Sequence, residues 1–263
     1  MIVVKIGGGK EINYDFILRD LARYKDVVLV HGGNHELNEL QTKLGNPPKM
    51  VTSVSGYESR YTNRETLEMF WMAYCGKVNK MIVEKLQKLG INAVGLSGMD
   101  GRILEGKRKD AITIIDNGKK KVLRNDYTGK IENVNVMLLR LLMDNGFFPV
   151  ITPPGISFES DSINVDGDRA AAAIAEALHA ECLIMLSNVP GLLKEVNDES
   201  SLIANIKKDE AAKYMDVAQG RMKKKIMGAI EALQHGVHKV IFADARIENP
   251  ITEALKGKGT VIE

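Results

Sequence analysis

MIVVKIGGGK, residues 1–10, is the stretch from which the fold is read. The β-branched residues Ile2, Val3 and Val4 are followed by Lys5, Ile6 and three glycines, Gly7, Gly8 and Gly9. A short apolar run stopped by glycine reads as a strand. DVVLVH (26–31) repeats the pattern and stops at Gly32 and Gly33. Between the two runs, INYDFILRDLARY (12–24) spaces its apolar residues as a helix does. The first thirty residues therefore read as one β-α-β unit.

The alternation continues along the chain. NHELNELQTKLG (34–45) reads as a helix closed by Gly45. TNRETLEMFWMAYCGKVNKMIVEKLQKLG (62–90) reads as a long helix broken near Gly76, with Thr62 as its cap and Glu65 bonding back. INAVGLSG (91–98) is a strand and turn. Residues 102–130 change character and read as β-hairpins, with Asn117-Gly118 as one turn. Helix signals return at 133–146, 166–180, 207–215 and 221–236, and strand signals at 147–153, 182–191, 239–245 and near GTVIE (259–263). This order predicts an α/β fold: a mainly parallel sheet sandwiched by helices, with β-hairpin insertions. Ligands of such sheets bind at the carboxyl ends of the strands.

Composition narrows the function classes. A net charge of +2 over 263 residues does not indicate nucleic-acid binding. No apolar run reaches the roughly 18 residues of a membrane span, and Lys5 with the glycines interrupts the only apolar stretch where a signal peptide would sit. Two cysteines, Cys75 and Cys182, suit buried thiols in a reducing cytoplasm. Basic residues are concentrated in GKRKD (106–110) and NGKKKVLR (117–124). That region is either a solvated hairpin or a docking surface for an acidic partner.

The familiar nucleotide motifs are absent: no G-x-x-x-x-G-K-[ST], no G-x-G-x-x-G after the first strand, no His-Arg-Asp. His31, His35, His179, His235 and His238 have no zinc spacing, and no metal ligands are assigned. What remains are glycine clusters at strand ends, whose bare amides favour anions, and lysines. Lys5 follows a strand, and Lys223, Lys224 and Lys225 stand early in a helix, where cations oppose the macrodipole unless an anion is bound. Asn164, Asp166 and Asp168 fall at a strand-to-helix junction, where a carboxylate serves either as a plain cap or in a site. Phosphoryl transfer suits such a set, because its catalysis is mostly positioning and charge neutralisation.

VVKIGGG, VLVHGGN, SRYT, VGLSGMDG, GFFPVITPPG, INVDGDRAAAAIA, LSNVPGLL and GRMKKKIMGAIEAL together resemble the amino acid kinase family, with a carbamate kinase-like fold, and within it the acetylglutamate kinase branch. The resemblance implies transfer of the γ-phosphate of ATP, with Mg2+, to a carboxylate. It implies that Lys5 stabilises the moving phosphoryl group and that Gly8 belongs to the phosphate loop. Gly32 and Gly33 would offer amides to the substrate carboxylate and the phosphoryl group. Arg60 would bind the substrate α-carboxylate, Asn164 would lie at its amino-acid group, and Asp168 would organise the lysines. Lys225 matches the second lysine in Gly-Met-x-x-Lys, while counting from Gly220 selects Lys224. Ser187 and Gly191 would line the ATP side with Lys225, although Asn188 stands where aspartate is usual and Asn34 replaces a third glycine.

The resemblance divides the chain into a substrate and dimer lobe (1–175) and an ATP lobe (176–263). SGYESRYTNRETLEMF (55–70) is similar to the branch that phosphorylates α-aminoadipate or glutamate held on an acidic LysW-type carrier protein, in lysine or arginine synthesis. The alternative is a kinase for free N-acetylglutamate. A sequence pI of about 8.3 and the basic hairpins suit an acidic carrier. The family forms homodimers, for which Met69, Phe70, Trp71 and Tyr74 supply either a contact face or core. Relatives that arginine inhibits begin with an extra helix; here the first strand begins at residue 2, so no arginine feedback is expected.

Overall fold

The computed structural model describes the chain apart from residues 55, 57, 110, 117, 197 and 216–220, and apart from the side chains of Arg221 and Lys224. Strand β1 (Ile2–Ile6) leads to helix α1 (Tyr14–Leu21), β2 (Val27–His31) and α2 (Asn34–Lys43). Then come β3 (Met50–Ser53), β4 (Glu58–Arg60), α3 (Arg64–Phe70), a π-helical stretch Trp71–Val78, α4 (Asn79–Lys88) and β5 (Ala93–Ser97). Strands β6 (Leu104–Arg108), β7 (Ala111–Asp116), β8 (Lys119–Arg124) and β9 (Gly129–Val134) form the insertion. Helix α5 (Val136–Asp144), β10 (Phe148–Thr152), β11 (Gly155–Ser157), β12 (Ser162–Ile163) and α6 (Gly167–Ala177) follow. The chain closes with β13 (Cys182–Ser187), β14 (Asn205–Ile206), α7 (Arg221–Gln234), β15 (Lys239–Asp244), α8 (Pro250–Leu255) and β16 (Thr260–Ile262).

The main sheet has the order β14-β16-β15-β13-β1-β2-β10-β5. From β15 to β5 the strands run parallel, and β16 turns back against β15. Side chains alternate across a strand, so β1 sends Val3 and Lys5 to one face and Val4 and Ile6 to the other. On the first face Val3 joins Ala170, Ala171 and Ile174 of α6 and Ile226, Ala229 and Leu233 of α7. On the second, Val4 and Ile6 join Ile17 and Leu21 of α1, Ile82 and Leu86 of α4, and Ile251 of α8. Helices thus cover both faces, as the β-α-β order predicts. Two smaller sheets, β12-β11-β6-β9 and β4-β3-β7-β8, hold the insertion.

Three local expectations change, and one left open between two readings is decided. The helix over 62–90 is not broken at Gly76; it continues through a π-helical stretch anchored by the buried Ala73, Tyr74 and Val78. Packing there outweighs the low helix propensity of glycine. Thr62 is not the cap: Asn63 accepts from the Thr66 amide at 2.9 Å, and Glu65 falls in the first turn. Residues Lys208–Met215 form a 3-10 helix, not an α-helix. Met69, Phe70 and Tyr74 are buried around Leu37, with the Phe70 and Tyr74 rings stacked 3.8 Å apart. They form core and offer no outer face; the exposed apolar residue of that turn is Met72. The β7–β8 hairpin forms as expected, with Asp116 opposite Lys119, although Asn117 lies outside the described residues. The division at 175/176 falls inside α6.

Candidate active site

The site follows from where the chain reverses its direction of growth across the sheet. After β1 the next strand, β2, adds on one side; after β13, β15 adds on the other. The crevice at such a switch point is where open α/β sheets bind ligands. Lys5 stands there, paired with Val30 of β2 and Met185 of β13. Beyond it, the Gly7 amide donates to the Leu186 carbonyl at 2.9 Å, and the Gly32 amide to the Ile6 carbonyl at 3.0 Å. The two glycine turns touch: a Cβ added to Gly8 would lie 2.3 Å from the Gly33 nitrogen and 2.6 Å from that of Asn34. Gly8 is therefore required by backbone packing as well as by any phosphate. The Gly32 amide is thus part of the sheet ladder, and the Gly33 amide faces the Tyr74 hydroxyl.

Lys5 points to the α6 face, and α6 presents Asp168 to it. Asp166 is the cap, accepting from the Asp168 and Arg169 amides at 2.9 and 3.1 Å. That leaves the Asp168 carboxylate to the lysines. Its Oδ1 lies 2.5 Å from Lys5 Nζ and 3.3 Å from Lys225 Nζ, and each of the three side chains is no more than 12% exposed. Lys225 comes from the early turns of α7, 57 residues away along the chain. The side chain of Lys224 lies outside the described residues. Burial pushes the Asp168 carboxyl up, but the Lys225 and Lys5 charges outweigh it and hold the group well below the usual carboxylate range. Burial lowers the Lys225 pKa, and Asp168 opposes that shift. Two cations around one anion, nearly out of water, leave one positive charge uncompensated. That is costly unless a further anion joins them.

The residues expected at the amino-acid substrate gather next to this cluster. Arg60 donates to the Gln41 side-chain oxygen and to Asn38 Oδ1, the latter at 2.5 Å, both on α2. Helix α2 begins at the Gly33 turn, so one helix orients both the guanidinium and the glycine amides. Asn164 lies between β12 and α6, four residues before Asp168, and its Nδ2 donates to Thr62 Oγ1 at 2.9 Å. On the other side, Ser187 ends β13, buried beside Gly7, and Asn188 is exposed. Gly191 packs tightly, since a Cβ there would lie 2.5 Å from Thr260 Oγ1.

Sequence reasoning missed several supporting residues. His31 is fully buried; its Nδ1 lies 3.0 Å from the Gly32 carbonyl and its Nε2 3.0 Å from Asn79 Nδ2. Asn79 Nδ2 also donates to the Val150 carbonyl, which fixes its amide orientation, so His31 accepts at Nε2 and donates from Nδ1. Burial pushes the His31 pKa down to about 4, aided by the Lys5 and Lys80 charges. The ring is neutral at pH 7 and braces the Gly32–Gly33 turn. Asp126, also fully buried, accepts from the amides of Thr62 (3.2 Å) and Thr128 (2.7 Å). The one visible signal was Asn79, a polar residue beside the apolar Val78, Ile82 and Leu86. Among the described residues no group of three His, Cys, Asp or Glu could hold a metal ion. Asp168, the carboxylate at the centre, is enclosed by lysines, so Mg2+ would be held by nucleotide phosphates and water.

The LysW-aminoadipate kinase of Deinococcus radiodurans is 56% identical to this chain, over all of the chain and 91% of that protein. The LysW-aminoadipate kinase of Thermus thermophilus is 53% identical over the whole of both. Among solved structures, N-acetylglutamate synthase from Neisseria gonorrhoeae shares the fold, with a TM-score of 0.78 at 24% identity, over 99% of this chain and 58% of that one. The model of the amino acid kinase family matches residues 1–244. With switch point, glycine turns and lysine cluster in place, the chain belongs to the amino acid kinase family.

Proposed function

We propose that this kinase transfers the γ-phosphate of ATP to the side-chain carboxylate of α-aminoadipate, held by its amino group on an acidic LysW-type carrier protein. The observation that carries the proposal is the Lys5–Asp168–Lys225 cluster, with its excess positive charge at the sheet's switch point. Each ammonium has three donors; one faces Asp168, and the others are available to the phosphoryl oxygens. Asp168 ties both cations to one point, so they meet the charge that spreads over those oxygens as the bond to ADP loosens. The carboxylate oxygen forms the new bond to phosphorus and ADP departs with the electron pair of the old one. The acceptor is already ionised at neutral pH, so no general base is needed. The cluster offers none: Asp168 is held ionised by two lysines, and His31 is bonded at both nitrogens.

Arg60 and Asn164 hold the amino-acid end on the side of residues 1–175, and Ser187 and Gly191 border ATP on the side of 176–263. The exposed Lys119, Lys120 and Lys121 of β8 meet the acidic carrier. The protein works as a homodimer in the cytoplasm, where its two free thiols stay reduced.

The test is ADP release with carrier-bound aminoadipate, with free N-acetylglutamate and with ATP alone. Turnover is expected with the carrier-bound substrate. Equal or better turnover with free N-acetylglutamate overturns the proposal. Lys5→Ala is expected to lower kcat roughly 10²–10³-fold with an unchanged circular dichroism spectrum; near-normal turnover would remove the lysine from the mechanism.

A further inference from the structure

Thr62, at first sight a helix cap, has a different set of partners. It is fully buried. Its backbone is held independently of its side chain: the amide donates to Asp126 Oδ2 at 3.2 Å, and the carbonyl accepts from the Tyr127 amide at 2.8 Å. Its hydroxyl donates to the Arg60 carbonyl at 3.1 Å and lies 2.9 Å from the side-chain amide of Asn164. These two bonds fix each other's direction. A carbonyl oxygen can only accept, so the single hydroxyl proton of Thr62 goes to Arg60. The hydroxyl can then only accept from Asn164, so the Asn164 atom facing it is the NH2 group. That leaves the carbonyl Oδ1 as the acceptor end of the Asn164 amide, with no hydrogen bond to it among the described residues.

We propose that Thr62 is a positioning residue that sets the Asn164 amide with its oxygen toward the substrate, making the pocket selective for a substrate whose α-nitrogen carries an N–H donor. An amino acid linked through its nitrogen to an acyl group presents such a donor. The inference rests on the reading that Arg60 and Asn164 hold the amino-acid end of the substrate. The same hydroxyl bonds the Arg60 backbone, so one side chain sets the spacing between the group that reads the α-carboxylate and the group that reads the α-nitrogen. The backbone of Asn164 is tied to the same segment, its amide donating to the Tyr127 carbonyl at 2.7 Å and its carbonyl accepting from Gly129 at 2.9 Å. Only its side-chain rotation is left for Thr62 to decide.

The experiment compares Thr62→Val, Thr62→Ser, Asn164→Ala and the Thr62→Val/Asn164→Ala double variant in the full-length kinase. Valine keeps the shape of threonine and removes the hydroxyl. Thr62→Val is expected to raise KM for the amino-acid substrate roughly tenfold, leaving KM for ATP and kcat within about twofold. Thr62→Ser is expected to restore KM, and Thr62→Val to add less than its single effect on the Asn164→Ala background. The proposal is overturned if Thr62→Val leaves KM unchanged, if serine fails to rescue, or if the two substitutions add in full. Thermal melting checks folding, and Thr62→Ala, with the same expectations, replaces the valine variant if that one does not fold. If the wild type turns over only free N-acetylglutamate, the carrier reading fails, and the same comparison is made on that substrate, which carries the same amide N–H.

Discussion

A single aspartate decides the electrostatics of the site. Asp168 stabilises the Lys225 ammonium against burial, which by itself drives the lysine toward its neutral form. A cationic group with a lowered pKa loses its charge at lower pH than an ordinary lysine near 10.5. The alkaline fall of kcat/KM, which reports the free enzyme, is therefore expected below pH 10.5. Asp168→Asn removes the charge that opposes the shift, so its alkaline limb is expected at lower pH still, with a reduced plateau. kcat/KM measured from pH 7 to 11 checks both, and a limb that moves upward in the variant would contradict the assignment. Asp168 stays ionised far below the usual carboxylate range, so it does not set the acid limb.

At the scale of elements, capping geometry decides which polar residue before a helix caps it and which is left for other contacts. Asn63 caps α3, which leaves the Thr62 hydroxyl to bond the Arg60 carbonyl and the Asn164 side-chain amide. Asp166 caps α6, which releases Asp168 to the lysines. Both pairs were visible as polar residues before helices, but which member caps depends on where the preceding strand delivers the chain. The β7–β8 hairpin stands apart from this machinery, with Lys119, Lys120 and Lys121 exposed and Lys121 lying 3.2 Å from Asp116. Reversing these three charges is expected to raise KM for the carrier-bound substrate and flatten its salt dependence, because charge steering acts mainly on encounter. Activity toward a small free substrate serves as the control. An unchanged KM and salt slope would remove the hairpin from carrier docking.

At the scale of the molecule, the site depends on a three-layer stack that holds β1, α6 and α7 in register. Phe242 of β15 is fully buried in the layer shared by α6 and α7, the helices that carry Asp168 and Lys225. Phe242→Ala is expected to destabilise the fold by roughly 3–5 kcal/mol, read as a lowered melting temperature. A shift under a degree would show that this layer repacks freely. Much of the plan was legible beforehand. Apolar runs stopped by glycine mark buried strands, and helical spacing marks the covers, because each pattern is a local consequence of which faces exclude water. The candidates Lys5, Gly8, Gly33, Arg60, Asn164 and Asp168 stood at strand ends and junctions for the same reason. The sequence by itself determined the alternation, the glycine turns and the supply of cations. Only the tertiary structure decided that Lys5 and Lys225 share one oxygen of Asp168, that the Gly32 amide belongs to the sheet, and that Thr62 orients Asn164. Those are contacts between residues tens to hundreds of positions apart, and their distances come from how helices pack on the sheet, which no local pattern encodes.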